Sequence, residues 1–357
     1  MSIHHWGWNN YFEAVWKDAD RGTAVPARVL AQSRGAWRVA GNFGERPAEV
    51  SGKLRLAAEE GADWPAVGDW VAVEPRDQGS AAQIQGVLPR RSQFDRKMAG
   101  KKVAEQVIAA NVDIALLVSA LDDDFNPRRV ERYLTQCWES GAKPLIVLNK
   151  SDICKAPQER IEEIERAAMG VAVCAVSART GQGFDELEKH MIRGQTLVLL
   201  GSSGVGKSTI VNRLLGGAVQ DVQGVRESDS RGRHTTTTRE LFVLPGGALL
   251  MDTPGLRELQ LWDAEEGMSQ TFADIESLAR RCRFGNCRHG GEPGCAVQEA
   301  MDAGELEIAR IENWRKLQRE LAFLRRKVDP EAGRNEKQRL KQLMRGVNKM
   351  YRDREKR

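Results

Sequence analysis

The chain lacks any long apolar run. No hydrophobic stretch approaches the roughly 20 residues of a bilayer-spanning helix, so no membrane helix is expected. Its start, Met1-Ser2-Ile3-His4-His5-Trp6, has no basic segment leading into an apolar one and does not read as a secretion signal. It has few cysteines, six in 357 residues. Cys137, Cys154 and Cys174 stand singly in apolar or helical surroundings and read as small buried hydrophobes. No internal repeat is visible. These absences point to a cytoplasmic chain with no membrane association, long enough for two or three domains.

What is present is uneven in charge. The formal net charge is only +4, yet residues 310–357 carry 17 Lys or Arg against 7 Asp or Glu, so the preceding 309 residues sum to −6. A basic helical tail on a near-neutral body suits a polyanionic partner; the alternative is a solvated, salt-bridged helix face.

Residues 1–22 read as an aromatic helix. Trp8, Tyr11, Phe12 and Val15 follow the i, i+3, i+4, i+7 spacing of one apolar stripe, which predicts docking onto the body. From 23 to 98, five β-rich segments (27–31, 36–40, 49–55, 70–74 and 83–88) alternate with Gly, Pro and Asp punctuation, as in a small barrel of the OB type. Trp37, Arg38 and Phe43 could there stack on RNA bases or serve the barrel core. The basic stretch 89–105 reads as a linker or a nucleic-acid-facing segment.

An α/β rhythm then runs to 262. Buried, β-branched strands at 112–120, 144–148, 171–176 and 196–200 alternate with helices, and a hairpin of 241–244 with 248–251 closes the region. Residues 263–357 hold a Cys/His cluster and long charged helices.

The chemistry lies in the loops. Gly201-Ser202-Ser203-Gly204-Val205-Gly206-Lys207-Ser208, followed by Thr209, fits G-x-x-x-x-G-K-[ST] between a strand and a helix. The glycines let backbone N–H groups turn in around phosphates, Lys207 reaches the outer phosphates, and Ser208 offers a Mg²⁺ ligand at the helix start. The loop alone does not choose a base; Asn149-Lys150-Ser151-Asp152 does. A carboxylate at Asp152 accepts two hydrogen bonds from a guanine edge, a pair that adenine does not offer. Asn149 would hold the loop, the Lys150 stem would lie along the base, and Ser177-Ala178 at the next strand end would offer an N–H to the guanine oxygen.

Asp252-Thr253-Pro254-Gly255 follows the hairpin, with Asp252 near the metal and Gly255 on the outer phosphate. Leu256 comes next and cannot orient a water. In the polar stretch before the hairpin, Gly232-Arg233-His234 precedes Thr235 to Thr238; Thr236 or Thr237 would complete the Mg²⁺ shell. His234 either positions and deprotonates the attacking water or simply contacts phosphate or solvent. Cys282, Cys287, His289 and Cys295 offer three thiolates and an imidazole within fourteen residues, the donor set of a closed structural Zn²⁺ site.

The order of these motifs is rotated: the base-reading loop comes first, the phosphate loop second and the Asp252 loop last. The expected fold is therefore a circularly permuted α/β P-loop GTPase domain with an N-terminal OB-like barrel and a C-terminal zinc-binding helical domain. Permuted order, the Gly-Arg-His-Thr-Thr-Thr stretch at 232–237, Asp-Thr-Pro-Gly followed by Leu256, and the Cys/Cys/His/Cys knuckle ending in Glu292-Pro293-Gly294-Cys295 together resemble the ribosome small-subunit-dependent GTPase A family of bacteria. The resemblance spans about residues 24–310. It implies hydrolysis of GTP to GDP stimulated by the small (30S) ribosomal subunit, a role in that subunit's late maturation, and a barrel that contacts its rRNA. A monomer is expected. Gly204 stands where some potassium-using GTPases carry Asn, so no potassium site is inferred. Two other classes stay open: a nucleotide-gated RNA-binding module with incidental hydrolysis, which Leu256 keeps alive, and an ATP-using nucleic-acid enzyme, against which Asp152 argues.

Overall fold

The computed structural model describes residues 2–19, 21–33, 35–58, 61–76, 80–98, 104–217, 239–252 and 264–328. The chain divides into two compact units, residues 1–260 with 269–271, and residues 261–268 with 272–357.

The first unit begins with a 3-10 turn at Ile3–Trp6 and helix α1 (Asn10–Lys17). Asn9 caps α1, its side-chain oxygen accepting the Tyr11 N–H at 3.1 Å. Ile3, Trp6, Trp8 and Phe12 are buried, and Trp8 meets Trp70 edge-on at 4.7 Å. The aromatic segment thus docks as its spacing predicts. Tyr11 is the exception: it stays 40% exposed and lies under the Arg91 guanidinium.

Strands β1 (Val25–Ser33), β2 (Ala36–Gly41), β3 (Gly44–Val50), β4 (Trp70–Glu74) and β5 (Ala82–Val87) pair in the order β1-β2-β3-β5-β4, and β4 returns to β1. This closes a five-stranded barrel of the OB type. Ala27, Val29, Val39, Val71, Val73 and Ile84 fill it. The third strand ends at Val50 rather than Arg55, because the Ser51 hydroxyl accepts the Leu54 N–H at 3.1 Å and starts helix α2 (Gly52–Ala57).

Trp37 serves the core. It is buried, donates its ring N–H to the Pro65 carbonyl at 2.9 Å and stacks on Trp64. The stretch 89–105 is no simple linker: strands β6 (Gln93–Met98) and β7 (Ala104–Ala110) pair antiparallel within it and beyond. Arg90 turns inward onto the fully buried Asp69 with two bonds of 2.8 and 2.7 Å, so its charge is spent on the fold rather than offered to a nucleic acid.

An α/β layer follows: β8 (Ile114–Ala120), α3 (Pro127–Glu139), β9 (Lys143–Asn149), α4 (Pro157–Ala167), β10 (Val173–Ala175), α5 (Phe184–Lys189), β11 (Thr196–Leu200), α6 (Lys207–Leu214), β12 (Arg239–Val243) and β13 (Leu249–Asp252). The strand order is β10-β9-β8-β11-β13-β12, parallel except for β12, which pairs antiparallel with β13 as a hairpin. Continuous apolar stretches such as Leu116–Val118 and Leu145–Leu148 are buried, as helix-covered parallel strands require. β12 also pairs with β1, Ala31 opposite Glu240, and Arg38 on β2 ion-pairs with Glu240. The sheet therefore runs without a break into the barrel.

Helices α7 (Glu265–Thr271), α8 (Ala273–Ala279), α9 (Ala296–Asp302) and α10 (Ile308–Val328) come last. In the second unit Phe272, Ile275, Val297, Ile311, Trp314 and Leu317 form the core. Arg310 is buried there over the Phe272 ring and bonded twice to Asp274, at 2.8 and 2.9 Å. No described helix is long and apolar enough to cross a membrane.

Candidate functional site

Because β8, β9, β10, β11 and β13 run parallel, their carboxyl ends share one edge of the sheet. The motif loops sit there. β9 ends at Asn149, β10 leads into Ser177 and Ala178, β11 leads into Gly201, and β13 ends at Asp252. β8→β9→β10 grows in one direction and β11→β13 in the other, so the strand order reverses between β8 and β11, beside the phosphate loop. Open α/β sheets place their ligands outside the carboxyl ends at such a point.

Asn149 is buried at 3% exposure and joins the loops. Its Nδ2 donates to the Val205 carbonyl at 2.9 Å, within the phosphate loop, and its Oδ1 accepts the Ala178 N–H at 2.9 Å. The next residue, Lys150, takes a left-handed backbone, φ 65°. Its ammonium donates to Asp122 at 2.7 Å, and this bond, first among several causes, holds the Asp122 carboxyl below its ordinary range. Ser151 N–H donates to the Val176 carbonyl at 3.1 Å. Asp152 is exposed. Ser177 is buried, and its hydroxyl accepts the Thr180 N–H at 3.1 Å.

In the phosphate loop Gly201 and Val205 are buried, Ser203, Gly204 and Thr209 are exposed, and Ser202, Gly206 and Ser208 are half-buried. Gly201 has φ 153°, and a Cβ on it would lie 2.4 Å from the Val118 carbonyl oxygen, so only glycine lets β11 turn there. The Lys207 ammonium reaches back across the loop, donating to the Gly201 carbonyl at 2.7 Å and to the Ser202 carbonyl. Asp252 is half-buried. His234, Thr236, Thr237, Gly255 and Leu256 lie outside the described residues.

The geometry adds residues that motif spacing does not reveal. Arg213, near the end of α6, donates to the Ala178 carbonyl at 2.8 Å and the Arg179 carbonyl at 3.1 Å. It pins the Ser177-Ala178 loop by its carbonyls. Arg129, on α3, is gripped by Asp124 and donates to the Ser202 hydroxyl at 3.0 Å, where Tyr133 also contacts it. Neither arginine belongs to a motif, and both reach the motif loops across long sequence separations, so no local signal marks them.

In the second unit Cys282, Cys287, His289 and Cys295 gather with all ligand atoms within 4.8 Å of one another, a group able to hold a metal ion. Cys282 Sγ and Cys295 Sγ are 3.9 Å apart, and each lies 3.5 Å from His289 Nδ1. A tetrahedral zinc site with bonds of about 2.3 Å to sulfur and about 2.0 Å to nitrogen has edges of roughly 3.8 and 3.5 Å. The four donors therefore fit such an ion in kind and number, and Cys282, His289 and Cys295 stand at its spacing. His289 reaches its place through a left-handed backbone, φ 60°.

The electrostatics suit a cation as well. Burial raises the Cys282 thiol, but the Val297 and Ala296 N–H groups together with the Cys295 and Cys287 side chains hold it below its usual range. Burial pushes Cys287 up to about 11, and the neighbouring Cys295 and Cys282 sulfurs add to the rise. Three thiolates this close repel one another unless a dication neutralises them. Burial, then the Arg315 charge, lowers His289 and keeps its imidazole neutral, the form that binds metal.

Rotated loop order on a parallel sheet, a phosphate loop at its strand reversal, a closed five-stranded barrel and a Cys3His cluster define a circularly permuted P-loop GTPase. Comparison with known proteins narrows the class. The family model described as RsgA GTPase matches residues 87–262. The Small ribosomal subunit biogenesis GTPase RsgA of Syntrophotalea carbinolica is 46% identical over 330 residues, 90% of each chain. The protein of the same name from Opitutus terrae is 43% identical over 97% of each. The crystal structure of YjeQ from Thermotoga maritima superposes with a TM-score of 0.63 at 26% identity, covering 84% of this chain and 99% of that one. The chain belongs to the RsgA GTPase family.

Proposed function

We propose that this chain hydrolyses GTP to GDP and phosphate during late maturation of the small (30S) ribosomal subunit, binding its rRNA and turning over faster when that subunit is present. The observation that carries the reading is the Asn149 junction, which holds a base-reading loop and a phosphate loop at one separation, on a chain whose curated relatives are named for small-subunit biogenesis.

Asp152 reads the guanine edge, with Lys150 along the base and the Ala178 loop over the guanine oxygen. Residues Gly201 to Thr209 wrap the phosphates, and Lys207 leaves its own loop carbonyls to pair with them. Exchanging neutral acceptors for phosphate oxygens gives the ammonium charge-assisted bonds. Ser208, Asp252 and Thr236 or Thr237 would hold Mg²⁺, and Gly255 would meet the outer phosphate. The ion, when bound, neutralises charge developing on the phosphates. His234 positions the attacking water in place of the residue that Leu256 cannot supply. The Cys3His cluster holds one structural Zn²⁺, and the chain works as a cytoplasmic monomer.

The test is GTP turnover with and without purified small ribosomal subunits. Stimulation by the subunit supports the reading. Unchanged turnover, with nucleotide-dependent RNA binding intact, would favour an RNA-binding module in which hydrolysis is incidental.

A further inference from the structure

A polar cavity of about 310 Å³ lies at the far edge of the sheet from the nucleotide loops. Its wall includes Asp113, Lys143 and Gln195, which stand at the amino ends of β8, β9 and β11. The barrel strand β1 contributes Arg28, and Arg91 and Arg193 complete the charged lining. Four cationic side chains thus face one carboxylate, with His4 also on the wall.

Asp113 is already engaged. It accepts the Thr196 N–H at 2.8 Å and the Arg91 guanidinium at 3.4 Å. Arg28 is not matched in the same way. It is 1% exposed, and its partners are all neutral: the Trp6 carbonyl at 2.9 Å, the Asn111 carbonyl at 3.2 Å and the Thr196 hydroxyl at 3.0 Å. Its Nε is buried with no hydrogen-bond partner. A buried guanidinium without an ion-pair partner is expensive, and burial pushes its pKa down to about 10 even though Asp113 and Asp69 lean the other way. Lys143 and Arg193 are exposed and form no ion pair among the described residues. On the same wall the Gln195 side-chain oxygen is also buried without a donor.

The missing partners are therefore of two kinds: an anion for Arg28, Lys143 and Arg193, and a hydrogen-bond donor for Gln195. We propose that this cavity is a binding site for a small phosphomonoester carried on a hydroxyl-bearing body, such as a sugar phosphate or a mononucleotide. The two exposed cations, Lys143 and Arg193, suit phosphate oxygens, and the buried Arg28 charge behind them adds to the positive field. The volume falls at the low end of small-molecule sites, about 300–1,000 Å³, and exceeds what a bare inorganic ion needs. Trp8 and Phe12, also on the wall, give the body an apolar side to lie against.

The full chain, saturated with GDP and Mg²⁺ so that the guanine site is filled, is titrated calorimetrically with ribose 5-phosphate, 5′-AMP, inorganic phosphate and free ribose. The expected result is one saturable site for at least one of the two phosphomonoesters, weaker binding of phosphate and none of ribose. The double variant Lys143→Ala with Arg193→Ala changes two exposed side chains, so folding is kept. It should weaken the phosphomonoester by roughly tenfold or more, the scale of lost charge-assisted bonds, and leave GDP affinity unchanged. Arg28→Met should abolish binding; if it fails to fold, the outer double variant decides. No saturable binding of either phosphomonoester, equal affinity for inorganic phosphate, or indifference to the double variant would overturn the proposal.

Discussion

Gly206 and Asn149 fit against each other with no room to spare: a Cβ on Gly206, at φ 93°, would lie 2.2 Å from Asn149 Nδ2. The absence of a side chain in one loop is what lets the amide of another reach the Val205 carbonyl. Gly206→Ala should therefore displace Asn149 and cripple GTP and GDP binding. Asn149→Ala removes two buried bonds worth about 1–3 kcal/mol together with the groups left unpaired, about a ten- to hundredfold loss of affinity. Fluorescent GDP titration checks both, and wild-type affinity in either variant would contradict the junction.

Arg213 acts on the same loop from behind, through the Ala178 and Arg179 carbonyls. Its test is specificity more than strength. Arg213→Ala should loosen the Ala178 N–H and narrow the preference for GTP over ATP, whereas Lys cannot reproduce the two-pronged contact. Competition binding of the two triphosphates reads this directly. An unchanged ratio would leave Arg213 with a packing role over Phe184.

Metal removal should act on the second unit alone. A chelator strong enough to strip zinc, or Cys282→Ser, should lower the melting temperature of that unit and release one equivalent of metal while GDP affinity persists. The pH dependence has a defined sign. The His289 pKa is lowered on folding, so the folded state binds fewer protons than the unfolded one below the usual value of about 6.5. Stability is full above that pH and falls on acidification, more steeply with metal bound. A melting temperature flat from pH 7.5 to pH 5.5 would contradict a histidine ligand.

Much of the fold is legible in the sequence, for local reasons. Gly, Pro and Asp turns delimit the barrel strands, and continuous apolar runs such as Leu116–Val118 reveal buried parallel strands. The motif loops are legible because phosphate wrapping needs glycines at fixed offsets. What escapes is long-range. Arg90 looks like a nucleic-acid contact until Asp69, 21 residues away, claims it. Trp37 carries the same composition signal whether it stacks on a base or on Trp64. Nothing near residue 240 announces that β12 will pair with β1 some 200 residues earlier. That pairing ties the barrel edge to the hairpin that ends in Asp252.

RNA association should weaken steeply with salt, since Lys and Arg neutralising phosphates release counterions. Binding of small-subunit rRNA measured at increasing KCl should give a linear, negative slope of log affinity against log salt. A flat response would contradict an electrostatic interface.

The most direct test is base exchange at Asp152. If loops near 150, 178 and 205 enclose one guanine nucleotide, Asp152→Asn should lose GDP and gain xanthosine diphosphate, because the amide presents a donor where xanthine presents an acceptor. Side-by-side equilibrium titration of the two diphosphates into wild-type and Asp152→Asn chains reads the outcome. Reversal of preference is the predicted result; retention of guanine preference by the variant would contradict the account.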